Sequence, residues 1–278
     1  MKVSIITVAY ESEKTIGDAI ESVLNQTYPD IEYIIVDGSS KDGTISIIKK
    51  YESQFNGRMH WISEPDEGIY YAMNKGIFLS SGDLIGLLNS DDLYIDSNAV
   101  SKIVSKIKND NADCCYANVM RVDINDTNKV IRIARNPFVN GHVLYNKRIS
   151  KHNLEFEMTY RGWHPNHPTF FIKKEFYEKY GLFNTKYRIE ADFDLMFRFI
   201  VIKNAKLTFL DSNILKMREG GASTVSIKQY FSNVLNCIAI IRDYGYDINK
   251  LNYFWHRLRF KIGQFSFSNF FVTFVKKT

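Results

Sequence analysis

Asp83-Leu84-Ile85-Gly86-Leu87-Leu88-Asn89-Ser90-Asp91-Asp92 is the stretch on which the reading of this chain turns. Residues 83–88 have the apolar run of a short buried strand, and two carboxylates stand where it runs out. In an open α/β sheet, ligands bind beyond the carboxyl ends of the strands. Two adjacent acids there repel each other unless a cation or a set of donors satisfies them. A hard divalent ion carrying a diphosphate suits such a place, because Mg²⁺ commonly uses one or two protein carboxylates plus phosphate oxygens. Taken alone, the tetrapeptide Asn89–Asp92 reads rather as a solvated turn capping a helix. The neighbouring segments decide between the two.

Lys2–Ala9 is an apolar, β-branched run, followed by a helical pattern with Ile16, Ala19, Ile20, Val23 and Leu24 on one face. Ile31–Val36 predicts a second strand that stops at Asp37-Gly38-Ser39-Ser40, and Asp42-Gly43-Thr44 opens a helix through about Tyr51. His60–Ser63 is a short third strand, Glu64–Gly68 a loop, and Ile69–Leu79 a helix that returns through Ser81-Gly82 to the strand ending at Asn89. Strands alternating with helices at this spacing indicate right-handed βαβ crossovers and a mostly parallel sheet. Asp37, Asp66 and the Asp91-Asp92 pair then fall at the ends of successive strands, on one edge, beside Thr7-Val8-Ala9-Tyr10.

Beyond residue 110 the pattern is less regular. Asp113–Asp123 and Lys129–Arg135 predict a hairpin across Asn125-Asp126-Thr127-Asn128. Residues 140–162 read as loop plus a short helix, Pro168–Lys173 as a strand, Lys174–Tyr180 as a helix stopped by Gly181, and Ala191–Ile202 as a stronger helix. Ile227–Tyr244 is amphipathic, with Tyr230, Phe231, Val234, Leu235, Ile238 and Ile241 on one side. A Gly- and Ser-containing stretch over 216–226 marks a boundary. The expected division is a catalytic domain over 1–216, its nucleotide-binding half 1–95 and acceptor half 96–216, with a helical, basic and aromatic extension over 217–278.

Composition narrows the class. At 45% hydrophobic and 24% charged residues, the 278-residue chain is an ordinary globular protein rather than a disordered or fibrous one. Its net charge is +5, yet residues 251–278 hold five cations and no acid, so the rest is neutral overall and no nucleic-acid-binding core is expected. Met1-Lys2 leads straight into a strand-like run with no cleavage site after it, which predicts no signal peptide. Cys114, Cys115 and Cys237 are odd in number and lack metal spacing, so a reduced, cytoplasmic setting is expected.

With these residues in view, the chain resembles the family 2 inverting glycosyltransferases of the GT-A fold. Val3–Tyr10 is similar to that family's first strand, and Ser22-Val23-Leu24-Asn25-Gln26-Thr27-Tyr28 to the end of its first helix. Glu32–Thr44, centred on Val36-Asp37-Gly38-Ser39-Ser40, is the strongest single match. Asp66-Glu67-Gly68-Ile69-Tyr70-Tyr71-Ala72-Met73-Asn74-Lys75-Gly76 resembles the subgroup that assembles bacterial surface polysaccharides. The resemblance is dense over residues 3–95 and returns in patches between about 163 and 200. It implies an α/β GT-A fold, with a mostly parallel central sheet flanked by helices and a C-terminal helical extension.

The resemblance also implies roles. Thr7, Ala9, Tyr10 and Asp37 would hold the uracil and ribose of a UDP-sugar, and Asp66 and Lys75 would extend that pocket. Asp37 also reads simply as a turn residue before Gly38. Asp91 and Asp92 match the acidic motif that binds metal and sugar, with Asp92 the direct ligand of Mn²⁺ or Mg²⁺ and Asp91 nearer the ribose or donor sugar. An Asn stands at position 89 where many relatives have Asp. In Glu190-Ala191-Asp192-Phe193-Asp194, Asp192 matches the family's catalytic base and Asp194 is its competitor; the plain alternative is helix-start acid favouring the dipole. His167 falls where the family often carries a His near the diphosphate or metal, and it also reads as a buried, hydrogen-bonded histidine. Trp163 reads as a sugar-stacking wall or as core. Arg218, before Gly220 and Gly221, reads as the cation of a flexible lid over the diphosphate.

The implied reaction is single displacement with inversion. The donor would be UDP-glucose or UDP-galactose, and the acceptor a saccharide such as GlcNAc or GalNAc on undecaprenyl diphosphate, in O-antigen or capsule synthesis. A sugar-nucleotide nucleotidyltransferase would want a Gly-rich basic loop after the first strand, and Tyr10-Glu11-Ser12-Glu13 lacks one. A non-catalytic saccharide-binding subunit would have lost these acids. The charge-free run Gly263–Val275 is too short to span a bilayer, which needs ~20 residues. The aromatic, basic tail therefore reads as lying on the inner leaflet of the plasma membrane, or as closing the core.

Overall fold

The computed structural model describes residues 1–134, 138–139, 142–143, 151–219 and 227–258. Its centre is a nine-stranded sheet. Strands β1 (Val3–Ala9), β2 (Ile31–Asp37), β3 (Met59–Ser63) and β4 (Leu84–Leu87) pair in parallel in the order β3-β2-β1-β4. Helices α1 (Ile16–Leu24), α2 (Thr44–Glu52) and α3 (Ile69–Leu79) connect them. Every residue of β1, β2 and β4 is buried, which is why these segments read as continuous apolar runs. Side chains alternate between the faces. Val3, Ile5 and Ala9 join one core with Ile16, Ile20 and Ile35, whereas Ile6 and Val8 join the other with Ile34, Val36, Met73 and Leu87. Gly76 lets α3 lie directly on β1, since a Cβ there would sit 2.4 Å from Ile6 Cγ2.

The second half departs from the expected parallel order. After β5 (Asp92–Tyr94) and α4 (Ala99–Asp110), β6 (Cys114–Asp123) and β7 (Val130–Ala134) form the expected hairpin. Two further short strands, β8 (Phe138–Val139) and β9 (His142–Val143), pair with each other apart from the main sheet. Helix α5 (Lys151–Tyr160) leads into β10 (Phe171–Lys173), which inserts antiparallel between β4 and β6. The sheet is therefore mixed. Insertion is possible because Gly86 carries no Cβ: one added there would come 2.3 Å from Phe171 Cε1. Helix α6 (Lys174–Tyr180) ends at Gly181, and α7 (Ala191–Phe197) runs into a π turn, Arg198–Ile202. The long strand β11 (Leu207–Glu219) pairs parallel with β6 and antiparallel with β5, with bulges around Leu210, Asn213 and Leu215. It passes through residue 216, where the boundary was expected.

Helix α8 (Ile227–Asp243) packs on α7, and a last helix, α9, over residues 250–258 packs on α8, with Phe254 stacked on Phe231. Val234, Cys237, Ile238, Ile241, Ile248 and Tyr253 are buried with Phe193 and Phe197 in one core. The described part of the C-terminal extension thus completes the hydrophobic core. Residues 220–226, which include most of the expected lid, and 259–278, most of the expected membrane segment, lie outside the described residues. Among the described residues no helix is long and apolar enough to cross a membrane.

Candidate active site

The ends of the first strands are in register: Ala9 pairs with Asp37, and Asp37 with Ser63. The Leu88 N–H donates to the Ile6 carbonyl at 2.9 Å, so the chain leaving β4 enters the 89–92 loop beside the end of β1. Small hydroxyls stitch this rim together. Asp37, fully buried, accepts from the Ser40 N–H at 3.0 Å, the Ser40 hydroxyl at 2.5 Å and the Ser63 hydroxyl at 2.6 Å. The Glu11 N–H donates to Ser40 Oγ at 2.9 Å, and the Ser12 and Ser90 hydroxyls meet at 2.9 Å. A hydrogen-bonded line therefore runs from the Asp37 turn, through the β1–α1 loop, to the acidic loop. Glu11 and Ser39 in these turns hold left-handed backbone, with φ of 48° and 62°, a conformation that costs a non-glycine residue about 1 kcal/mol or more and concentrates at functional loops.

Thr7 is buried, its hydroxyl accepting from Tyr33 at 3.0 Å. Tyr10, 68% exposed, lies against Gly38 and offers an aromatic face to solvent at this rim. Lys75 on α3 meets Asp66 and Glu64 at 2.6 Å each. Asp66 is thus ion-paired at the next strand end, as the sequence ordering requires.

The two acids of the motif differ in burial. Asp92, at 0% exposure, begins β5 and accepts from the Asn89 amide at 2.9 Å, while its Oδ1 is buried with no hydrogen-bond partner. Asp91 reaches the surface. Burial first, then the neighbouring Asp91, pushes the Asp92 carboxyl up to about 8, against the Asn89 amide and two arginines that lower it. Burial likewise raises Asp91. Two adjacent carboxylates are held in a largely buried loop, and one carboxylate oxygen is orphaned. That donor set fits a hard divalent cation. Among the described residues no three His, Cys, Asp or Glu side chains are grouped to bind a metal alone, so such an ion would complete its shell from phosphate and water.

Arg218 does not belong to a lid. It sits in β11 at 5% exposure, where Nη1 donates to the Asp91 carbonyl at 2.7 Å and Nη2 bonds the Asp18 carboxylate on α1. The guanidinium braces the acidic loop from inside the fold. Trp163 is likewise core, 4% exposed and edge-on to Tyr116; it offers no wall to a sugar.

A second group gathers where α3 meets α7. The Tyr70 hydroxyl donates to Asp192 Oδ1 at 3.2 Å, and Tyr70 stacks on Phe183 at 5.4 Å. Asn74 exchanges two hydrogen bonds with the Phe183 backbone, at 3.0 and 2.9 Å. His167 stands edge-on to the same Phe183, with Nε2 enclosed and without a partner; burial lowers its pKa and Asp192 opposes that. It lies on the Asp192 side of the site. Asp192 remains partly exposed, whereas Asp194 is buried at 1%, accepts from Tyr244 at 2.9 Å and faces Arg198 at 3.5 Å. Of the two competitors, Asp192 has the opening to solvent and Asp194 a packing role.

Sequence reasoning missed the hydroxyl stitching and the internal brace. Ser40 carries a readable signal, because a serine three residues after an aspartate is a common turn partner. Asp18 and Arg218 are 200 residues apart and carry none.

A mixed, helix-flanked α/β sheet with this acidic rim is a GT-A fold. Residues 4–181, more than half of the chain, match the model described as Glycosyl transferase family 2, and the chain belongs to that family of glycosyltransferases. It is 25% identical over 222 residues to the glycosyltransferase GlyG of Streptococcus pneumoniae, covering 80% of this chain and 72% of that protein. It is 34% identical over 122 residues to chondroitin synthase of Escherichia coli, covering 44% of this chain but 18% of that one. An uncharacterized glycosyltransferase of Mycobacterium tuberculosis is 36% identical over 106 residues, and the match spans 39% of its length. Among solved structures, S. aureus TarS 1–349 superposes with a TM-score of 0.61 at 19% identity, covering 96% of this chain and 73% of that chain. The mannosyltransferase PcManGT of Pyrobaculum calidifontis, in complex with GDP-Man and Mn²⁺, gives 0.57 at 15% identity, covering 88% and 69%.

Proposed function

We propose that this glycosyltransferase moves a hexose from a UDP-sugar to a saccharide acceptor, by single displacement with inversion, with Asp192 as base. The observation that carries the reading is the Tyr70–Asp192 hydrogen bond. It ties the one accessible carboxylate of α7 to the helix whose Lys75 holds Asp66 on the nucleotide side. Asp192 accepts the proton of the acceptor hydroxyl as that oxygen bonds the anomeric carbon, and the bond from that carbon to the diphosphate breaks on the opposite face. Such base assistance is worth ~10²–10⁴ in rate. Tyr10 and the turn ordered by Asp37 form the nucleoside side. Asp92, whose Oδ1 is left without a hydrogen-bond partner, is the carboxylate that would meet Mn²⁺ or Mg²⁺, with the more exposed Asp91 beside it toward the ribose or donor sugar. When bound, the ion neutralises charge on the leaving diphosphate.

UDP is favoured because TarS structures hold UDP and UDP-GlcNAc, and UDP-glucose or UDP-galactose fits a hexosyl donor. Relatives named chondroitin synthase support a polysaccharide product, and lipid-diphosphate-linked GlcNAc or GalNAc for O-antigen or capsule is the acceptor proposed. The enzyme would work at the inner leaflet. Leu251 and Trp255 on α9, 72% and 59% exposed, with Arg259, Lys261, Lys276 and Lys277 beyond them in sequence, support that placement.

The test is calorimetry of UDP with and without Mn²⁺, followed by transfer from a panel of UDP-sugars. Asp192→Asn is expected to bind UDP as wild type while transfer falls at least ~10². Asp92→Asn is expected to lose the manganese dependence of UDP binding. Full transfer by Asp192→Asn, or UDP affinity indifferent to manganese in the wild type, would overturn the reading.

A further inference from the structure

We propose that Arg257, on α9, is a positioning residue for the base: it is the countercharge for Glu190, and this pair fixes the turn that presents Asp192. The inference rests on the reading of Asp192 as the base. Glu190 immediately precedes α7, 9% exposed, with a left-handed φ of 69° that a residue carrying a side chain holds only when its surroundings impose it. Its Oε2 accepts from the Cys237 thiol on α8 at 3.4 Å. On the other side of that sulfur, Arg257 Nη1 lies 2.8 Å from Cys237 Sγ and 3.4 Å from the Tyr253 hydroxyl. Glu190, Cys237 and Arg257 thus form one line from the start of α7, through α8, to α9, buried at Glu190 and Cys237 and partly exposed at Arg257.

The seat for α9 is specific. Gly162 has a φ of 66°, and a Cβ there would come 2.7 Å from the Tyr253 hydroxyl and 3.1 Å from Arg257 Cδ. The chain before the His164–His167 segment is therefore shaped to admit Tyr253 and Arg257. The groups facing Glu190 are Asp192 on its own element, Arg257, Cys237 and His164. Those facing Asp192 are Glu190, Tyr70 from α3 and His167. Arg257 is the one permanent cation among them. Burial and Asp192 both raise Glu190, and Arg257 opposes them. Without the guanidinium, Glu190 loses its strongest countercharge two residues from the base, and the turn is held only by the Cys237 contact and the Asp194 N–H bond to its carbonyl.

A merely structural arginine and a positioning one differ in the pH profile of kcat. Removing the cation raises the negative potential at Asp192 and moves the acidic limb up; removing the Glu190 charge moves it down. Arg257→Gln in the full chain is expected to lower kcat about tenfold and shift that limb up by about half a unit. UDP affinity with Mn²⁺ should be unchanged, and Arg257→Lys should restore most of kcat. Glu190→Gln is expected to shift the limb down, and the double variant to fall between the two. If Arg257→Gln does not fold, the Glu190→Gln profile decides. A wild-type kcat and profile in Arg257→Gln, or an unshifted limb in Glu190→Gln, overturns the proposal. Asp192→Asn in the same assay separates the two readings. Transfer surviving there refutes the base itself; its loss, with an unaffected Arg257→Gln, refutes the positioning role alone.

Discussion

Arg218→Met tests whether the acidic loop is held from inside the fold. The substitution keeps an apolar stem of similar reach and deletes the guanidinium. Two bonds disappear, and they are unequal. The bond to the Asp91 carbonyl at 2.7 Å comes from a charged donor that is 5% exposed, and a hydrogen bond of that kind is worth ~1.5–3 kcal/mol. The Asp18 partner has a side chain 52% exposed, so its carboxylate returns to water and the pair adds at most ~1 kcal/mol. The expected loss is about 2–3 kcal/mol, or roughly 5–10 °C in Tm for a chain of this size. Because Asp91, the residue released, adjoins the metal-binding Asp92, Mn²⁺-dependent UDP affinity should fall with it, whereas UDP affinity measured without metal should change little. Thermal melts and calorimetry on the same preparations measure both. Asp18→Asn is the control and should cost no more than ~1 kcal/mol. A Tm within about 1 °C of wild type in Arg218→Met, or an Asp18→Asn loss as large as that of Arg218→Met, would refute the carbonyl brace.

Gly86→Ala should destabilise the protein by ~1–3 kcal/mol in urea unfolding, because its methyl would need the space of the fully buried Phe171 ring 2.3 Å away; a neutral result would show that β10 does not seat on β4 as described. Glu32 is raised by burial, but hydrogen bonds from Ser4, the N–H and hydroxyl of Ser81 and Lys2 outweigh this and hold it at about 2. Its contribution is therefore complete above the ordinary value of 4.5 and is lost as pH falls toward 2. Glu32→Gln should cost about 2 kcal/mol at neutral pH, discounted for the exposed Lys2 partner, and should flatten the acid limb of stability; a parallel pH–stability curve would contradict this. Asp194→Asn should lower stability through its Tyr244 and Arg198 contacts, while the folded enzyme keeps most of its transfer activity; if transfer is abolished at unchanged UDP affinity, the base is Asp194.

Much of the first half was legible from the sequence because β1, β2 and β4 are buried on both faces and their helices on one, so hydrophobic periodicity and burial coincide. The strand over 60–63, the hairpin of β6 and β7, and α6 all formed where turn residues and periodicity place them. The long β11 did not show itself. Its bulges around Asn213 break the alternation, and Asp211 and Ser212 interrupt the apolar pattern. The antiparallel seat of β10 was equally hidden, since a three-residue strand carries no period and its place is set by a glycine on another strand.

The candidate site shows the same division. Residues at strand ends, Asp37, Asp66 and Asp91, could be placed because a parallel sheet fixes which ends share an edge. What each side chain does once there depended on partners the sequence does not order. Burial separates Asp91 from Asp92, and Asp192 from Asp194, although each pair lies on one short segment. Helix α3 then sets the relation between the two halves. Its Tyr70 bonds Asp192, and Lys75, five residues on, reaches back to Glu64, Asp66 and the Pro65 carbonyl in the loop before the helix, so both sets of partners gather toward its N-terminal end. Gly76 presses this helix onto β1 at Ile6, and Asn74 locks it to Phe183 through two hydrogen bonds. A helix packed this closely cannot slide without breaking either the core or those bonds. The placement of Asp66 relative to Asp192 is thus a property of the helix and sheet, and the loops that carry the acids need only be oriented.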